Sequence, residues 1–392
     1  MDNFGKLGTY LTMKINEIHI HHFRNLAQVN IVPSRCNVIL GNNGSGKTSI
    51  LESIYLLSRG KSFRHHQPKH YISHGFAKTT VFAKLHNPIN HQDETVAIEK
   101  SQDASTQLRY QGQTVATQSP ITKLLPTILF EPNNLNALEI GSQSRREILD
   151  WLVFHVEQDF FSNWVNYQHL LKQRNRLLKS SNLSPFYQQE ITAWDNQISH
   201  YASMIHQFRE KILQQWQSHF DEQLNSFLPQ YADKLRLRYS AGFDVSVGLA
   251  QTLAERLPAD MEMGYTRMGC HRADMNVVLD LVQVDEQGQK QKRTLPAVDM
   301  LSRGEKKLLM MALRLSQLPL LNAVDKLPLV LLDDITAELD NGALVTLLKG
   351  LKQVNSQLFI TSLSDEIVPL IEEIWQDDIK LFHVEHGDIK PI

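Results

Sequence analysis

Gly41-Asn42-Asn43-Gly44-Ser45-Gly46-Lys47-Thr48 fits the spacing G-x-x-x-x-G-K-[ST] of a phosphate-binding loop. The apolar run Cys36–Leu40 precedes it and reads as a buried strand. Ile50, Leu51, Ile54, Tyr55 and Leu57 follow at helical spacing. In such a strand–loop–helix the glycines let backbone N–H groups curl around phosphates. Lys47 reaches the β- and γ-phosphates, the Thr48 hydroxyl binds Mg²⁺, and the helix N-terminus adds its positive end. The expectation is an ATP- or GTP-binding α/β fold.

Such a site needs a second carboxylate for Mg²⁺ at the end of a neighbouring buried strand. Leu329-Val330-Leu331-Leu332 supplies the strand, and Asp333-Asp334 the acids. Alone, an apolar run ending in solvated aspartates is common; beside a phosphate loop it acquires a role. The two elements stand 286 residues apart, so the nucleotide fold is split around inserted material. Leu301-Ser302-Arg303-Gly304-Glu305 opens another helical pattern, and Ser302 with Glu305 makes a capping box. Its place, shortly before Asp333, gives it a second meaning. In chain order stand the phosphate loop, an L-S-x-G helix start, the acidic strand end, and Ala337-Glu338-Leu339-Asp340.

The 392 residues suggest two or three domains, and 42% hydrophobic against 21% charged residues describe an ordinary globular chain. Two cysteines, Cys36 and Cys270, build no disulfide framework, and no C-x-x-C pair exists to hold zinc. No apolar run reaches a membrane span, so a cytoplasmic protein is expected. The formal charge of −2 reveals no partner at the level of the whole chain.

Residues 1–12 lack periodicity and precede a second methionine, Met13, so they read as an N-terminal extension. Residues 13–134 read as the first part of the nucleotide fold. Short alternating runs at Thr79–Leu85, Thr95–Glu99 and Leu108–Tyr110 form its antiparallel lobe. Residues 135–230 read as a helical arm. Two long patterns, from Arg145 to about Lys179 and from about Ser184 to Phe227, are joined by a turn at Ser180–Pro185. Residues 231–392 return to strands, with a hairpin near Asp285–Gly288, and then complete the α/β fold.

The joint order of motifs resembles the ABC-type ATPases, in their split form with an inserted helical arm. The pieces Phe23-Arg24-Asn25, Gly60-Lys61-Ser62-Phe63-Arg64 and Gly269-Cys270-His271-Arg272-Ala273-Asp274 narrow the resemblance to the RecF family of SMC-like DNA-repair ATPases. The resemblance covers the chain from Met13 onward. It implies a weak ATPase that dimerises on ATP, binds single-strand/duplex junctions and gapped DNA with RecR-like proteins, and aids loading of RecA-like proteins. It assigns nucleotide contacts to Gly41 through Thr48 and, from the partner chain, to Ser302 and Gly304. Mg²⁺ falls to Thr48 and Asp333, and catalysis to Lys47 and Asp334. Cys270 departs from the family's usual proline. Departures from ABC ATPases generally are Arg303 for glycine, Glu305 for glutamine, Asp334 for the glutamate base, and no histidine in Leu358–Leu363. They imply slow hydrolysis, with the nucleotide as a dimerisation timer.

Between residues 53 and 92 there is no acidic residue, whereas Arg59, Lys61, Arg64, Lys69, Lys78, Lys84 and six histidines are present. Arg59, Lys61, Arg64 and Lys69 are the DNA-phosphate candidates, against the plainer reading of a solvated basic face. Lys172, Arg174, Arg176 and Lys179 read as a solvated helix face, and His19, His21 and His22 as one side of a strand. His65, His66, His70 and His74 have no flanking Cys, Asp or Glu to complete a metal set. Other readings are an SMC-like structural DNA clamp, which needs longer coiled coils, and an ABC transporter-type ATPase subunit.

Overall fold

The computed structural model describes residues 13–87, 91–132, 136–180, 184–284, 290–376 and 378–392. The extension at 1–12 and most of the two turns expected at 180–185 and 285–288 lie outside them. The chain divides into two compact units, one of residues up to 135 with 321–392, the other of 136–320.

The first unit holds two sheets. One is antiparallel, in the order β2 (Leu26–Ile31), β1 (Lys14–Phe23), β4 (Lys78–His86), β5 (Asp93–Ser101), β6 (Thr106–Tyr110), β7 (Gln113–Val115). This is the expected lobe. The other runs β15 (Asp388–Pro391), β14 (Ile379–Glu385), β3 (Cys36–Leu40), β13 (Leu358–Ser362), β12 (Leu329–Leu332), β8 (Thr127–Phe130), parallel except for the β15 edge. Its central strands β3, β12 and β13 are buried throughout, the mark of a sheet covered on both faces. Helix α1 (Lys47–Arg59) buries Ile50, Leu51, Ile54, Leu56 and Leu57 against the core that joins the two sheets. Gln357 ties the sheets together: its amide exchanges hydrogen bonds with both backbone groups of Ile15 and donates to Ser34 O, each at 2.9 Å.

The second unit holds the arm helices and the antiparallel sheet β11 (Lys290–Pro296), β10 (Asp274–Val284), β9 (Leu235–Ser240). The helix Tyr187–Phe227 is continuous over 41 residues and buries Ile191, Ile198, Ala202, Ile205, Ile212, Trp216, Phe220 and Leu224. The other arm pattern is not one helix. Ser142–Val156 and Phe160–Leu178 are separate, because Glu157 adopts an extended backbone and its carboxylate pairs with Lys211 at 2.7 Å. No proline or glycine marks that break, so periodicity ran through it. Segment 231–320, expected with the C-terminal part of the ATPase fold, falls in the helical unit. Trp216 donates to Ser316 Oγ at 2.7 Å, and Gln317 to Ile148 O at 3.2 Å, both wholly buried.

Arg174 corrects the reading of a solvated helix face. It is fully buried, with Asp195 at 2.6 Å, Asp260 at 2.8 Å and Thr266 Oγ1 at 2.7 Å. Burial pushes the Asp195 carboxyl upward, while Arg174 opposes it. Periodicity placed Arg174 among polar neighbours; only packing brought two carboxylates to it.

Candidate functional site

The phosphate loop lies between the carboxyl end of β3 and α1, where ligands bind in parallel α/β sheets. Asn42, Asn43 and Gly44 are exposed, whereas Gly41, Ser45, Gly46 and Lys47 are buried. The first turn of α1 carries no acid, which leaves its N-terminus favourable to an anion. Lys47 Nζ folds back over the loop and donates to Gly41 O at 2.7 Å and Asn42 O at 3.1 Å. The loop is clamped from outside. Asn25 Nδ2 donates to Ser45 O at 2.9 Å and Gly44 O at 3.2 Å, and Asn25 Oδ1 accepts from Ser49 Oγ. Gly387, in the turn between β14 and β15, donates its N–H to Ser45 O at 2.8 Å. It has φ +88°, and a Cβ there would lie 2.1 Å from Asn25 O.

The acid expected at the end of β12 reaches the loop. Thr48 Oγ1 donates to Asp333 Oδ1 at 2.9 Å, and Thr361 Oγ1 from the intervening strand β13 lies 2.9 Å from the same oxygen. Thr361 Oγ1 also accepts from the N–H of Asp334 at 2.9 Å, holding both acids. Burial pushes Asp333 upward, and its hydrogen bonds to Thr48 and Thr361 oppose that. Asp334 has a left-handed backbone, φ +45°, and its Oδ1 is buried without a hydrogen-bond partner. A non-glycine residue in that conformation stores strain of about 1–3 kcal/mol, a cost typical of functional positions. Ser45 Oγ is likewise buried and unpartnered.

These orphaned oxygens, the hydroxyl–carboxylate pair and the folded-back lysine fit a Mg²⁺–nucleoside triphosphate. Thr48 and Asp333 supply hard oxygen ligands of the kind Mg²⁺ takes.

Two neighbours of this site were not foreseen. Thr361 is one; its only sequence signal is its place, with Ser362, at the polar end of the strand Leu358–Ser362. Glu131, directly after β8, is the other. It is buried, and burial with the nearby Asp333 charge raises it to about 7. Arg64 lies close enough to pull both Asp333 and Glu131 downward.

Arg64 belongs to the basic strip, together with Lys61 and Lys69, all exposed; Arg59 is half-buried. A buried network holds this segment. Ser62 Oγ donates to Glu52 of α1 and accepts the N–H groups of Arg64 at 3.0 Å and His65 at 2.9 Å. Glu52 in turn holds Arg24. The family-like pieces 23–25 and 60–64 thus meet on one carboxylate. Lys78 and Lys84 are paired with Glu99 and Glu17, which leaves them less available to an external anion. His19 and His21 share a strand face, but His22, with φ +54°, leaves the alternation.

In the second unit, Ser302 caps the helix Arg303–Leu315. Its Oγ accepts from Glu305 N at 3.3 Å, and Glu305 Oε2 accepts from Ser302 N at 2.8 Å. The capping box is present, and Ser302, Arg303 and Gly304 remain exposed at the helix start. Asp340, in the first unit, caps the helix Asn341–Gln353 through Ala343 N at 2.8 Å. The segment 269–274 is locked inward almost entirely. Cys270 O accepts from Arg209 at 2.8 Å, Ala273 O from Arg146 at 2.6 Å, and Asp274 holds Arg145 bidentately. The His271 ring lies between Tyr167 Oη at 2.8 Å and Thr266 O at 3.1 Å. Both cysteines are buried and unpaired. Among the described residues, no helix is long and apolar enough to cross a membrane.

A phosphate loop, a strand-borne acid pair and a helical unit inserted between them define an SMC-type head of the ABC ATPase class. The RecF/RecN/SMC N-terminal domain model matches residues 14–389. The DNA replication and repair protein RecF of Acinetobacter baylyi is 38% identical, over 97% of this chain and all of its own. That of Shewanella oneidensis is 34% identical over the same shares. The chain belongs to the RecF family of DNA replication and repair proteins. Among solved structures, the recombination mediator RecF with ATP superposes with a TM-score of 0.79 at 22% identity, over 99% of each chain. An Smc head bound to the C-terminal winged-helix domain of ScpA superposes at 0.56 and 15%, over 96% of each. At those identities the likeness is one of fold.

Proposed function

We propose that this chain is an ATP-gated DNA-binding protein of recombinational gap repair. In this reading it binds single-strand/duplex junctions with a RecR-like partner and aids loading of a RecA-like protein. The observation that carries the nucleotide half is the meeting of Thr48 and Asp333 beside the phosphate loop. The DNA half is supported by family membership and by the exposed cations Lys61, Arg64 and Lys69.

Lys47 neutralises the β- and γ-phosphates once it releases the loop carbonyls, and the loop N–H groups orient them. Thr48 and Asp333 hold Mg²⁺, which when bound neutralises developing charge on the phosphates. Asp334 orients the attacking water. It is one methylene shorter than glutamate, so it does so less well, and turnover falls well below about 10 s⁻¹. Ser302 and the free N–H groups at its helix start contact the nucleotide held by a second copy. Hydrolysis removes that bridge, which makes the nucleotide a timer of dimer lifetime.

The test measures self-association and gapped-DNA binding with ATP, with ADP, and for Lys47→Ala. ATP alone is expected to promote both, and Lys47→Ala to abolish the difference. Properties indifferent to ATP would overturn the gated dimer. Turnover near or above about 10 s⁻¹ on DNA would remove the timer.

A further inference from the structure

We propose that the stacked pair Phe76–His22 is a seat for an unpaired nucleobase; this rests on the DNA-binding reading above and specifies how single strand is held. The rings lie with centroids 3.7 Å apart and planes 13° from parallel. Phe76 is 43% exposed. A lone exposed apolar residue is ordinary; what distinguishes Phe76 is its mounting. Its N–H donates to Ser73 O at 3.1 Å, its carbonyl accepts from Gln102 Nε2 at 2.8 Å, and Ser73 N donates to His22 O at 2.9 Å.

The backbone of His22 is turned to make the stack. In β1 the alternation puts Ile18 and Ile20 inward, so His22 belongs on the buried face. Its φ of +54° inverts the alternation. Phe23 takes the core position, fully buried, and the half-buried His22 ring, its Nδ1 buried without a partner, stacks on Phe76. The fold thus spends backbone strain on displaying an aromatic surface.

The same piece of chain carries the phosphate-binding cations. Segment 68–76 docks along residues 22–24 through Arg24 N to Tyr71 O at 2.8 Å and the bridge Phe23–Ile72. His70 in that segment lies 5.3 Å, ring to ring, from His65 in the cationic loop of Lys61 and Arg64. The carboxylate nearest in this network, Glu52, is buried and neutralised by Arg24. An aromatic face on a segment that also carries exposed cations is the combination that binds single strands without sequence preference, since every base has a π-face.

The experiment compares binding of gapped and fully duplex DNA by the full chain, with 2-aminopurine in the gap reporting stacking. Phe76→Ala should weaken gapped-DNA binding about tenfold, abolish the fluorescence quench, and leave duplex binding within about twofold. Phe76→Tyr and His22→Phe keep stacked rings and should retain both signals, which separates loss of stacking from loss of fold. Wild-type gapped-DNA affinity and quench in a folded Phe76→Ala protein would overturn the seat while leaving DNA binding intact. An effect of Phe76→Ala confined to a protein partner would also overturn it. A wild-type chain that binds no DNA would overturn the underlying reading as well.

Discussion

Thr48 Oγ1 and Asp333 Oδ1 lie 2.9 Å apart although 285 residues separate them in the chain. Thr361 completes the contact from the strand between them. Thr361→Val should weaken Mg²⁺ affinity in the ATP complex about 10- to 100-fold, as loss of a supporting hydrogen bond commonly does. ATP affinity in EDTA should not change. Titration of a fluorescent ATP analogue at graded Mg²⁺ measures this, and an unaltered Mg²⁺ midpoint would reduce Thr361 to a packing role.

Arg24 and Glu52 form a second long-range pair, with Nη2 to Oε1 at 2.9 Å and Glu52 fully buried. Removing one partner leaves a buried charge, so Arg24→Met should cost about 3–5 kcal/mol. Arg24→Met with Glu52→Leu should recover much of that. Urea unfolding of the three proteins provides the cycle, and additive losses would show that the pair is not coupled.

His271 gives the helical unit an acid sensitivity. Burial holds the ring down to about 4 from an ordinary 6.5. The unfolded chain therefore binds the proton more tightly. The stability involved is whole above pH 6.5 and is lost as pH falls toward 4, by about 3 kcal/mol at 1.36 kcal/mol per unit. His271→Gln should flatten the fall of Tm between pH 6.5 and 4.5. An equal slope in both proteins would assign the acid sensitivity to other groups.

Gly387 stands where no side chain fits, with positive φ and a carbonyl in the way. Gly387→Ala should displace the turn from Ser45 and lower both Tm and ATP affinity, the backbone strain alone amounting to about 1–3 kcal/mol. Unchanged ATP affinity together with a lowered Tm would show that the turn supports the fold without shaping the loop.

Ser302 caps its helix, and substitutions can separate that from its proposed contact with a second copy's nucleotide. Ser302→Ala should cost about 1 kcal/mol through the lost cap. Ser302→Asp keeps a capping acceptor but sets a negative charge where the second copy's nucleotide would lie. It should preserve Tm and abolish ATP-dependent self-association in sedimentation velocity. Intact self-association would leave Ser302 a cap only.

The strand before Gly41, the glycine spacing of the loop and the apolar run before Asp333 were legible because each is a local pattern with one physical reading. Even the pairing of Thr48 with Asp333 followed from the chemistry that Mg²⁺ demands. Ser302 fitted both a cap and a signature residue, and local pattern could not choose; the capping box is present in the fold. The break at Glu157, the burial of Arg174 and the meeting of residues 23–25 with 60–64 on Glu52 left no periodic trace. Each depends on a partner distant in sequence.

The nucleotide motif, its split placement and the acid-free basic stretch rest on residue identity and spacing along the chain, and could be read there. That Thr361 joins the acid pair, that Gly387 and Asn25 clamp the loop, and that His22 leaves the strand alternation to stack on Phe76 emerge in the folded chain alone. The reason is physical: a hydrogen bond or a stacked ring acts over a few ångströms of space, and a chain records only separation along itself.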